Sequence, residues 1–131
     1  MDQNRVLSKV LWSFVQQFDE RSSFETAVRQ YHLRIMKSDE RWQPASLVLP
    51  CQVVRVHFEY WELEPIEREV EETLELRTEN SAGFTALELL FQIQRAVTTR
   101  LAPLDRKFFE GLSLKETDAD GVPCYWLQLG S

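Results

Sequence analysis

Glycine is scarce in this chain, and its four copies, Gly83, Gly111, Gly121 and Gly130, stand too far apart to build a loop whose backbone amides cradle a phosphate. Nucleotide sites of the P-loop and dinucleotide kinds are therefore excluded, and no cofactor is expected. Cysteine is scarcer still. Cys51 and Cys124 fall in no paired ligand spacing, so neither a disulfide scaffold nor a metal site is expected, even with His32 and His57 counted as extra ligands. Both thiols read as buried, and neither sits at a turn or helix start that would activate it as a nucleophile. No apolar run approaches the roughly 20 residues that span a bilayer, and Met1-Asp2-Gln3 does not begin a signal peptide, so a cytoplasmic protein without membrane contact is expected. Clustered bases are also missing. The 15 lysines and arginines are dispersed, which argues against nucleic acid as a partner.

What is present is core-forming material. Apolar residues make up 44% of the 131 and aromatics 11%, too many for a disordered chain and enough for one domain over residues 1–131. The net charge of −6 is lopsided: between Glu59 and Glu79 nine acids face two bases, so this segment carries the whole imbalance.

Apolar spacing divides the chain. Leu7, Val10, Leu11, Phe14, Val15 and Phe18 recur at three and four residues, which predicts an amphipathic helix. Ser22 with Glu25 reads as a capping box opening a second helix, continued by Phe24, Ala27, Val28, Tyr31 and Ile35. Pro44 and Pro50 bracket an extended connection. Residues 51–62, "CQVVRVHFEYWE", then alternate strictly: Val54, Val56, Phe58 and Tyr60 point one way, Arg55, His57 and Glu59 the other. After the acidic turn at Pro65 a second alternating run sets Val70, Leu74 and Leu76 against Glu71, Thr73, Glu75, Arg77 and Glu79, predicting a hairpin with one core face and one charged face.

The strongest helix start is Thr85 with Glu88 three residues on and Phe84 placed to staple Leu89; Ala86, Leu89, Leu90, Ile93, Ala96, Val97 and Leu101 form its buried stripe, and Pro103 stops it. Two last strands flank "DADG" at 118–121, which reads as a hairpin turn because a calcium loop would need a glutamate where Leu129 stands. The expected fold is α+β in two layers, order ααββαββ, with a four-stranded, mostly antiparallel sheet packed against helices on one face.

Arg55, His57 and Glu59 could pair a general base with an orienting carboxylate, but alternate positions on an open strand lack the concave, dry setting that catalysis needs. The better expectation is a partner-binding surface of Arg55, His57, Glu59, Trp61, Glu71, Glu75, Arg77 and Glu79, in which carboxylates steer a basic protein and Trp61 anchors it. An inhibitor or immunity protein that neutralises a cationic toxin has this character. Two other classes stand beside it: a secretion-type chaperone or adaptor that forms a homodimer through the terminal strand ending at Leu129, and a small enzyme gathering His57 with Glu59, Glu75 or Cys51.

Overall fold

Two hairpins supply the long strands. The computed structural model describes residues 4–62 and 66–131. Its elements are β1 (Arg5–Val6), β2 (Trp12–Ser13), α1 (Arg21–Met36), β3 (Leu47–Leu49), β4 (Val53–Glu62), β5 (Arg68–Arg77), β6 (Phe84–Thr85), α2 (Ala86–Leu101), β7 (Phe108–Thr117) and β8 (Pro123–Gly130).

The alternation read in residues 51–77 is realised as the β4–β5 hairpin, with Val56 opposite Leu74, His57 opposite Thr73 and Glu59 opposite Glu71. Val54, Val56 and Phe58 are fully buried, so the period of two sets which face meets the core. The second hairpin, β7–β8, turns at 118–121, where the Gly121 amide donates to the Asp118 carbonyl and Gly121 takes φ +83.

The hairpins join through β4 and β8, which run parallel at Arg55 to His57 opposite Cys124 to Trp126. The long-strand order is β5-β4-β8-β7, and β1 and β2 both pair with the far edge of β7. β3 and β6 form a separate ribbon. The sheet is thus larger than the four strands expected, with a parallel pair at its centre. β8 lies between β7 and β4, so it offers no free edge for a dimer, and among the described residues β5 forms one edge of the sheet and the short β1 and β2 the other.

α2 begins as its sequence predicts: Thr85 Oγ1 accepts the Glu88 amide at 3.1 Å, and the helix ends at Leu101, two residues before Pro103. Ala86, Leu89, Leu90, Ile93, Val97 and Leu101 are buried in one cluster with Val54, Val56, Phe58, Tyr125, Leu127 and Leu129 of the sheet. At about 25 cal/mol per Å² of apolar surface, this packing is the main stabilising contribution. α1 buries only Phe24, Val28 and His32. Its N-cap is Glu20, without a side-chain cap bond, and Ser22 lies inside the first turn, so the expected capping box is not formed.

The first expected helix is absent; the observed order opens with two short strands before α1. Leu7 takes φ +59, a left-handed conformation that breaks any helix there, and Gly111 of β7 packs so closely on Ser8 that an added Cβ would meet the Ser8 Cα at 2.9 Å. Val10, Trp12 and Phe14 are buried at every second position, whereas Val15, an expected stripe residue, is exposed. Other elements supply the partners that a helix would have given this backbone. The Leu11 amide donates to His32 Nε2 at 3.0 Å, and Phe14 to the Lys107 carbonyl at 2.9 Å. Gln94 clamps Phe18, Oε1 accepting its amide at 3.0 Å and Nε2 donating to its carbonyl at 2.6 Å.

Candidate functional site

Strand alternation places Arg55, His57, Glu59 and Trp61 of β4 on the face turned away from α2, beside Glu69, Glu71, Thr73, Glu75 and Arg77 of β5. β8 adds Trp126 to the same face opposite His57, and Ser113 of β7 lies across from Trp126. This outer face has two ends of different electrostatic character.

At one end every charge is matched. Arg55 donates to Asp118, to Glu75 at 3.1 Å and to Asp120 at 3.0 Å, and Arg77 donates to Glu75 at 3.0 Å. Hydrogen bonds donated to Asp120 and Asp118 drive the pKa of the Arg55 guanidinium above its ordinary range. The same contacts hold acids down: Glu75 is lowered by Arg77 and then Arg55, and Asp120 by Arg55. Arg55 therefore ties the β7–β8 turn to β5. Its geometry is that of an internal strut, so Arg55, Glu75 and Arg77 leave little free charge for a partner.

In the middle, the His57 ring meets Trp126 edge-on at 4.6 Å, and its Nδ1 is 2.9 Å from Thr73 Oγ1. Lys115 Nζ lies 5.5 Å from the Trp126 ring centre on the indole face. The His57 Nε2 points between two carboxylates, 4.0 Å from Glu59 Oε1 and 3.9 Å from Glu71 Oε2. His57, Glu59 and Glu71 are the group among the described residues able to offer three ligand atoms, all within 4.8 Å of one another. Donors to a single zinc ion at about 2.0–2.2 Å would lie roughly 3–3.5 Å apart, so the present spacing is that of an imidazole lodged between acids. Neither Cys51 nor His32 approaches this group: His32 is buried beneath Leu11, and desolvation raises the thiols of Cys51 and of buried Cys124. The expected gathering of His57 with Glu59 is present, whereas Glu75 is committed to the arginines.

The other end is uncompensated. Glu59 faces Glu71 directly across the hairpin, and Glu69 faces Trp61. Among the described residues no lysine or arginine pairs with Glu59, Glu69 or Glu71, although Glu62 meets Arg68, Glu72 meets Arg100 and Glu75 meets two arginines. Partial burial, a hydrogen bond shared with Glu69 and the charges of Glu69 and Glu71 push the Glu59 carboxyl above the usual glutamate range. Trp61, opposite Glu69, is 47% exposed, so a large apolar side chain flanks these acids in the open.

A cavity of about 290 Å³ adjoins them, lined by Glu59, Tyr60, Trp61, Glu69 and the connection Pro103 to Arg106. The sequence reading missed Glu69, Asp118, Asp120 and this connection. Glu69 shares a strand face with Glu71 by the same period of two and was legible in the hairpin, whereas what Asp118 and Asp120 face emerges only once β8 lies beside β4. One expected member, Glu79, and one acid outside the expected surface, Glu72, lie apart from the group. Glu72, one of the nine acids, lies on the helix side, accepting from Tyr60 Oη at 2.7 Å. Glu79 follows the far end of β5, eight residues and roughly 26 Å of extended chain from Glu71.

No helix among the described residues is long and apolar enough to cross a membrane. Comparison of the chain with protein-family models, with curated proteins and with solved structures returned no match.

Proposed function

We propose that this protein is a non-catalytic interaction module that docks a basic protein partner on the uncompensated end of its outer sheet face, in the manner of an inhibitor or immunity protein neutralising a cationic toxin. The observation that carries this reading is the trio Glu59, Glu69 and Glu71, without a lysine or arginine partner among the described residues and beside exposed Trp61. Like charges gathered around Glu59 oppose folding, so their placement suits a role met in a complex, where a partner's cations neutralise them. Carboxylates so arranged accelerate encounter with a positive surface, and the apolar side chain beside them supplies area that slows dissociation. The paired end, built on Arg55, serves as the rigid support.

The test compares the parent with a triple variant, Glu59→Gln, Glu69→Gln and Glu71→Gln, and with a charge-matched control, Asp19→Asn, Glu40→Gln and Glu110→Gln. Immobilised parent and control should retain the same basic protein from a host lysate and release it with salt, and the triple variant should bind it at least tenfold more slowly. Equal capture by all three overturns the proposal.

A further inference from the structure

β8 pairs with β4 only from Arg55 to His57. Beyond His57 the strand keeps β5 on one side, and on the other the connection from Pro103 to Arg106 passes in place of a strand. The split between β4 and β8 creates the cavity, and it explains how Tyr60 and Trp61, which point to opposite faces, both line it.

We infer that this cavity receives one arginine side chain of the partner, its guanidinium held by Glu59 and Glu69 and its stem laid along Trp61 and Leu104. The inference rests on the docking role proposed above and names its anchor. Volume selects the class of occupant: about 290 Å³ lies at the small end of ligand pockets, enough for a long side chain and too little for a dinucleotide. Charge selects the sign. Glu59, Glu69 and Asp105 are opposed by Arg106 alone, and that arginine already donates to the Leu129 carbonyl at 3.2 Å.

The walls select guanidinium. The Trp61 indole is oriented by its Nε1–H, which donates to Glu67 Oε1 at 3.1 Å, and Tyr60 is stacked on Phe58 with ring centres 5.7 Å apart. A planar cation can lie on the indole while giving parallel hydrogen bonds to the two carboxylates, which an ammonium cannot do as well. Glu59 stands beside Glu71 and Trp61, with Glu69 across from Trp61, so an entering guanidinium would give Glu59 and Glu69 charge-assisted hydrogen bonds in place of like-charged neighbours.

The experiment titrates the isotopically labelled full chain with N-acetyl-arginine methylamide and, separately, with the uncharged citrulline analogue. NMR follows the Trp61 indole N–H and the Leu104 methyls. The arginine probe should give saturable shifts at both, the citrulline probe none, and Glu69→Gln or Trp61→Ala should weaken binding at least fivefold. Because Trp61 and Glu69 are surface residues, a dispersed amide spectrum checks that each variant is folded. Absent or unsaturable shifts, equal response to citrulline, or binding unaffected by both variants overturns the inference. If the parent still captures a basic protein while the arginine probe fails, the anchor falls and the docking role stands; if both fail, both fall.

Discussion

Neutralising Glu71 should make the protein more stable, the reverse of the usual effect of mutation. The β4–β5 register sets Glu71 directly across from Glu59. Like charges so placed destabilise a sheet by roughly 0.2–1 kcal/mol relative to neutral pairs. Glu71 is 62% exposed, so solvent screens the repulsion, and a gain of about 0.3–0.7 kcal/mol is expected for Glu71→Gln at low salt. For a chain of this size that corresponds to a rise of about 2 °C in Tm. Glu75 stands four residues along the same strand, equally accessible to mutation, yet it accepts from both Arg55 and Arg77. Glu75→Gln should therefore destabilise. The assay is urea unfolding of both variants and the parent at low salt and at 0.5 M salt, where a Debye length of about 4–5 Å should remove most of the gain. Glu71→Gln proving less stable than the parent, or a salt-independent gain, refutes the picture of an uncompensated end. A variant that gains stability while losing partner capture would mark the glutamate as kept for binding.

Gln94→Leu keeps the side chain's approximate size but strands the Phe18 amide and carbonyl, each worth about 1–3 kcal/mol when left unmet, so a loss of about 2–6 kcal/mol is expected in urea unfolding, with faster hydrogen exchange at the Phe18 amide. His32 is fully buried and desolvation lowers its pKa, so below about pH 6.5 the unfolded chain takes up a proton that the folded one refuses. Stability should then fall as pH drops from 7 towards 5, by at most about 1.4 kcal/mol per unit, and His32→Leu should flatten that slope even if it lowers stability at pH 7. Phe58→Ala and Leu90→Ala, both at fully buried positions, should each cost about 2–5 kcal/mol, and an unchanged Tm for either would contradict the packing of α2 on the sheet.

The hairpin of β4 and β5 was legible because Val53 to Phe58 alternate strictly in burial, and α2 because Thr85, Glu88 and the apolar stripe agree with one another. The opening segment was not. Leu7, Val10, Leu11 and Phe14 match a helical period by spacing, but the period of two in Val10, Trp12 and Phe14 was the correct signal. It prevailed because His32, Gln94 and Lys107, each distant in sequence, satisfy the backbone. Nothing local announces such partners. The same limit applies to the site. Trp61 and the glutamates could be nominated from the hairpin alone, whereas the commitment of Arg55 to Asp118 and Asp120 follows from laying β8 beside β4, 69 positions apart at the Arg55–Cys124 pair. Strand order is a tertiary choice that alternation does not encode.

The central position of β8 has a consequence for how the molecule is made. β4 and β5 are translated before α2 and β7, yet the strand that closes β4's second edge is translated after both. Until residues 123–130 clear the exit tunnel, β7 has no bridge to the first hairpin, and Val54, Val56 and Phe58 lack part of their cover. A nascent chain halted before Pro123 should thus hold the residues of both helices and of the first hairpin while lacking the strand that bridges β4 and β7.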